Sequence, residues 1–293
     1  MGFAWRRIQK LYPVYILSLL VSIPHMLLLR IPTYGMIKAG GITAANFIID
    51  VTLLQSLSGI ESIAHGLNPV GWFLSCLFIC YMACPAFGQM IRKRCRKFSN
   101  IFLFGAVDVA IILALTQLAV QINQRWSSFN TLYYSSPYIR VFYVFLGMLI
   151  ARGYELGEKR ITSKKIIWSL AEIGILIISV VHLWHIDYVH VIWNRLFDLI
   201  LVMCVVAIFG REQGVISGLL KRKKIVNLGK SRSMYWYLVQ FPAIWLIRDI
   251  FAYVGWEDFK ALQTIMAFVA VIIGGELLRC FSTVFLKIHH KEK

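Results

Sequence analysis

Nine ionisable or amide side chains fall inside apolar stretches of this 293-residue chain: His25, Asp50, Gln55, Asp108, Gln117, Glu172, Asp198, Gln240 and Glu276. Such groups are costly in hydrocarbon. Each therefore either carries function or serves as a hydrogen-bond partner between helices. A carboxylate or imidazole held there can take a proton from a hydroxyl. An amide such as Gln240 can donate and accept hydrogen bonds but is no base at neutral pH.

Two further groupings invite chemistry. His182, His185, Asp187 and His190, in the stretch HLWHIDYVH, have the composition of a metal or acid–base cluster. They fall at the outer end of one apolar run and the turn into the next, where histidines and aromatics belong on interfacial grounds alone. No metal site is assigned there. Arg6, Arg7 and Lys10, in WRRIQKLYP, stand at the mouth of the first apolar run. They are either the topogenic flank of that run or a functional basic motif. Cys76, Cys80 and Cys84 share one helical face at i, i+4 and i+8 and are read as small residues for close helix packing. No disulfide framework is implied, and neither a Gly-rich phosphate loop nor a G-x-S-x-G elbow is present.

The elements that must hold these groups are membrane helices. Hydrophobic residues make up 59% of the chain and charged ones 15%, against about a quarter charged in a soluble domain. Runs near the 20 or so residues of a span occur at roughly 11–29, 70–91, 101–122, 138–152, 165–185, 190–209, 233–254 and 261–286. The fourth is short and is extended backwards through Tyr133. A ninth run, 42–58, is interrupted by Asn46, Asp50 and Gln55. If it does not cross, all but seven of the 31 lysines and arginines lie on one side, as the positive-inside rule requires. The expected fold is thus an all-α polytopic membrane protein, a single domain over 1–293, with about eight transmembrane helices. One re-entrant or interfacial segment joins them, and both termini are cytoplasmic. The net charge of +17 belongs to this topology, not to a nucleic-acid partner.

Four stretches, in order, resemble the membrane-bound acyltransferase 3 family, the bacterial O-acyltransferases of surface polysaccharides. Arg6-Arg7-Ile8-Gln9-Lys10-Leu11-Tyr12-Pro13 resembles its R-R-x-x-R-I-x-P block, with Lys10 for the last Arg. Asn68, Trp72, Leu74, Tyr81 and Pro85 follow its N…W-x-L…Y…P helix, with Leu77 where many members carry Glu. Arg140, Phe145 and Gly147 resemble its R…F-x-x-G helix. Ser233, Tyr237, Leu238 and Pro242 resemble its LG-x-x-S-Y-x-x-Y-L-x-H-x-P segment, with one extra residue after Gly229 and Gln240 in place of His.

The resemblance implies an integral membrane O-acyltransferase of the bacterial cytoplasmic membrane. Its donor substrate would be acyl-CoA, with acetyl-CoA the expected form, and its acceptor a polysaccharide or lipid-linked glycan. It also implies acyl-CoA contacts at Arg6, Arg7 and Lys10, and a cavity shaped by Asn68, Trp72, Tyr81, Arg140, Ser233, Tyr237 and Gln240. The family's presumed base is a His eleven residues after an Arg, on a helix that precedes the R-R-x-x-R block. Arg6, Arg7 and Arg30 have no His eleven residues on, so the expectation is a member lacking its first two helices, and no catalytic residue is assigned. A non-catalytic export or scaffold protein of the same fold is the alternative reading.

Overall fold

The computed structural model describes residues 2–9, 11–157, 165–185 and 191–291, nearly all of them helical and none in a strand. In order these are α1 (Gly2–Ile8), α2 (Tyr12–Tyr34), α3 (Met36–Val51) and a 3-10 turn (Gln55–Ser58). Then follow α4 (Glu61–Ala64), α5 (Gly71–Arg94), α6 (Phe98–Arg125), α7 (Leu132–Ser135) and α8 (Pro137–Gly157). The remainder are α9 (Lys165–Trp184), α10 (Val191–Phe209), α11 (Val215–Leu220), α12 (Lys223–Val254) and α13 (Lys260–Lys291).

Eight helices are long and apolar enough to cross a bilayer, one for each of the eight full runs in the sequence. This is an all-α, multi-pass membrane protein. Between 6% and 39% of each spanning window is buried by protein. The exposed leucines, isoleucines and valines, such as Leu170, Ile177 and Val180 on α9, form the lipid face. The backward extension of the fourth run is not one continuous helix: Pro137 opens α8, and the separate turn α7 lies ahead of it.

The interrupted run, 42–58, is divided between the second half of α3 and the 3-10 turn; the 16 residues of α3 rise about 24 Å, short of the roughly 30 Å hydrocarbon core. Helix α3 is not one of the eight helices that can span, in keeping with a re-entrant or interfacial segment. Gly35, at φ 75°, ends α2 and lets α3 double back along it. Tyr12 Oη donates to Val51 O at 2.9 Å near one end of the pair, and Arg30 Nη1 to Thr43 Oγ1 at 2.9 Å toward the other.

Contacts divide the chain into two compact units. The first takes the chain up to Ile79, with 128–131 and Leu228 onward; the second takes Cys80–Ser127 and Leu132–Asn227. The second unit has an apolar core of Ile91, Ile112, Ile139, Phe145, Leu146, Leu149 and Leu199. Two of its acids, the buried Glu172 and the partly exposed Asp198, are structural. Glu172 accepts from the amides of Ile216 (2.8 Å) and Ser217 (3.2 Å) and from the Ser217 hydroxyl, so it caps the start of α11. Asp198 holds His182 at 2.8 Å between α9 and α10.

Candidate functional site

The first unit contains a buried polar cluster built from two helical stripes. On α2, Tyr15, Ser18 and Ser22 fall at i, i+3 and i+7, each at most 2% exposed. On α3, Thr43, Asn46 and Asp50 repeat the same spacing. The α2 hydroxyls answer their own helix, Ser18 Oγ donating to Tyr15 O (2.7 Å) and Ser22 Oγ to Ser18 O (2.9 Å). Tyr15 instead reaches across, its Oη donating to Asp50 O at 3.1 Å.

The segment after α3 completes the cluster. Leu53 sits buried at φ 57°, a left-handed conformation that costs a leucine about 1–2 kcal/mol and turns the chain sharply. Gln55 Nε2 then donates to Tyr15 Oη at 2.8 Å. Ser56 and Ser75 share a hydroxyl hydrogen bond of 2.6 Å. Arg30 Nη2 donates to Gly66 O at 3.3 Å, and the Leu67 amide donates to Asp50 Oδ2 at 3.0 Å. A Cβ on Gly66 would stand 2.9 and 3.0 Å from the two Asp50 carboxylate oxygens, so only glycine lets the loop approach so closely.

Asn68 ties this loop to α12 for a specific reason. Pro242 lacks an N–H, so the Leu238 carbonyl four residues earlier loses its helical donor. Asn68 Nδ2 supplies the replacement at 2.8 Å and also reaches Ser18 Oγ at 3.3 Å. One residue back on α12, Tyr237 Oη donates to Val70 O at 3.0 Å. Phe73 packs edge-on against the Tyr237 ring at 5.5 Å.

Three buried acceptors in the cluster have no protein donor: Asp50 Oδ1, Gln55 Oε1 and Asn68 Oδ1. Burial pushes the Asp50 carboxyl up to about 7, against the opposing pull of the Leu67 amide and the Arg30 guanidinium. The cluster can therefore receive hydroxyl protons, and Asp50 can exchange one near neutral pH. His65, in the same loop, is held below its ordinary value by burial, with Glu61 opposing.

Of the residues singled out in the sequence, Asn68 and Tyr237 join this cluster together with Asp50 and Gln55. Trp72 lies half-buried beside it on α5, with Phe73 edge-on at 6.1 Å. On α12, Ser233 is exposed and Gln240 half-buried. Arg6 and Arg7 are exposed on α1, where Arg7 stacks over Phe3 at 5.4 Å, and Lys10 lies outside the described residues. Tyr81 and Arg140 belong to the second unit. Arg140 is anchored locally by two bonds to Tyr134 O (2.9 and 2.6 Å) and by the Tyr143 ring at 5.2 Å. His25 on α2 is engaged by α12, 3.3 Å from Asp249 and stacked on Trp245. Among the described residues no three His, Cys, Asp or Glu could hold a metal ion; Asp187 and His190 lie outside them. Sequence reasoning passed over Tyr15 and Ser18, whose spacing with Ser22 against the α3 stripe was the available sign.

Comparison with known proteins agrees with this architecture. A family model described as an acyltransferase domain matches residues 1–278. An acyltransferase of Streptomyces mycarofaciens, MdmB, is 31% identical over 88 residues. That stretch is 30% of this chain and 22% of the relative, so the match spans under a quarter of the relative's length. No solved structure matches.

Proposed function

This chain belongs to the acyltransferase 3 family, whose domain model covers nearly all of it, and from that premise we propose that it moves an acyl group from acyl-CoA to a sugar hydroxyl. Acetyl is the proposed acyl group. The proposed acceptor is a cell-surface or exopolysaccharide sugar, and the proposed setting is the bacterial cytoplasmic membrane. The observation that carries the reading is the Asp50 cluster: a buried carboxyl with one oxygen lacking a donor, inside a chain of this family.

In the proposed reaction the sugar hydroxyl gives up its proton as its oxygen attacks the thioester carbonyl. The C–S bond then breaks, and the departing CoA sulfur receives a proton. Asp50 is the proposed proton acceptor and returns that proton to the thiolate. Asn68 and Gln55 would orient the hydroxyl through their free carbonyl oxygens, and Trp72 would wall the cavity. Arg6, Arg7 and Lys10 would meet the CoA phosphates, the arginines through paired N–H groups and the lysine as a point charge.

The test uses the full chain in nanodiscs or proteoliposomes. Acetyl-CoA should bind, and with a polysaccharide acceptor it should release free CoA thiol as acetyl appears on the sugar. Arg7→Ala should weaken acetyl-CoA binding by about tenfold, the loss expected for one charge-assisted phosphate contact of about 1.5 kcal/mol. Unchanged binding would count heavily against the reading. Binding without transfer would move the assignment to the non-catalytic export or scaffold role.

A further inference from the structure

Two cavities succeed one another along the same three helices of the first unit. One is an open cavity of about 360 Å³, lined by Leu11 and Val14 where α2 begins, by Lys230 and Met234 of α12, and by Arg279 of α13. The other has a volume of about 220 Å³ and uses the next turns of each helix, with Val21, Val239, Pro242, Leu277 and Phe281 in its wall. Together they make a trough whose two ends differ in chemistry.

The mouth is cationic. Glu276 is shared by Arg232 (2.5 Å) and Arg279 (2.9 Å), so one carboxylate faces two guanidiniums. Lys230, exposed at the same mouth, has no acidic partner among the described residues. The deeper end is apolar apart from Ser18, and it opens sideways: Val21, Leu277 and Phe281 are 53%, 54% and 68% exposed. A soluble phosphate compound would use the cations and leave the apolar trough idle. Another helix would cover the trough and leave the surplus cations facing no acid. A chain with an anionic head satisfies both ends, and it can enter from the bilayer without leaving it.

We propose that this trough holds an anionic membrane lipid, its phosphate against Lys230 and Arg279 and one chain along Val21, Val239 and Leu277. The site does not depend on the acyl-transfer reading. It involves neither Asp50 nor Arg7, and it stands or falls on lipid binding alone.

The experiment reconstitutes the full chain in phosphatidylcholine nanodiscs containing phosphatidic acid with a photoreactive acyl chain. Cross-links should map to α2, α12 and α13 at the trough wall. Lys230→Glu should cut the yield about tenfold, in line with a charge reversal near an anionic head group. Lys230→Arg should keep the yield, which separates lost charge from lost folding. Lys224→Glu, the same charge change on the exposed start of α12, should leave it near the unmodified level. Leu277→Trp, which fills the trough, should lower it. Equal yields from the unmodified chain and Lys230→Glu would overturn the proposal. So would displacement of the lipid by millimolar CoA, which would give the mouth to a soluble phosphate. Cross-links between two copies of the chain in place of lipid would overturn it as well.

Discussion

In the proposed reaction Asp50 ties stability and chemistry to the same proton, and the two should respond to pH in opposite directions. Burial pushes its carboxyl up to about 7 in the folded chain, from 3.8 for a free side chain. Between those values the folded chain holds a proton that the unfolded chain has released, so the group's contribution to stability is lost as pH rises from about 4 to 7. A proton acceptor must be ionised, so the transfer rate should climb through about pH 7 over the range in which stability falls. In Asp50→Asn, thermal unfolding should lose most of this pH dependence and transfer should fall at least a hundredfold, the low end of general-base contributions of roughly 10²–10⁴. A variant with undiminished transfer would remove Asp50 from the mechanism. Asp50 and Gln55 were legible in the sequence because they interrupt an apolar run. Tyr15 and Ser18 were not, because one tyrosine and one serine in a membrane helix carry no cost that demands explanation. Only the second stripe on α3 gives them a purpose.

Helix α12 has a defect that another segment repairs. Pro242 leaves the Leu238 carbonyl without its helical donor, and Asn68 fills the place from 170 residues away. Asn68→Ala should therefore cost about 1–3 kcal/mol, the price of a buried orphan carbonyl. Pro242→Ala restores an N–H at the right place, so Asn68→Ala should cost markedly less in that background. A double-mutant cycle by thermal or denaturant unfolding reads the difference; strict additivity would mean that the two residues are not coupled. Both residues stood out in the sequence as separate motif positions, but their dependence on each other is geometric and has no local pattern. Element boundaries show the same limit. Residues 138–152 read as a run extendable through Tyr133, whereas Pro137 sets the start of α8. Glu172 read as a candidate functional acid, and its task is to cap α11.

For the whole molecule, apolar run length and the placement of cations were enough to anticipate eight crossings, because both are properties of the chain averaged over many residues. The same reasoning predicts sidedness. A cysteine introduced by Lys38→Cys or Lys260→Cys should react with a membrane-impermeant maleimide applied to intact cells, and one introduced by Lys93→Cys or Lys224→Cys should not. Labelling of Lys224→Cys from outside would reverse the topology. Because so little of each span is covered by protein, most positions on these helices need only be apolar. Leucine, isoleucine, valine and phenylalanine can replace one another there with little selective consequence. Relatives are therefore expected to diverge quickly along the lipid face and slowly at the few buried polar positions. Two such rates in one chain would leave short stretches of pairwise identity, like the 88 residues shared with MdmB, inside a family pattern that reaches across 278.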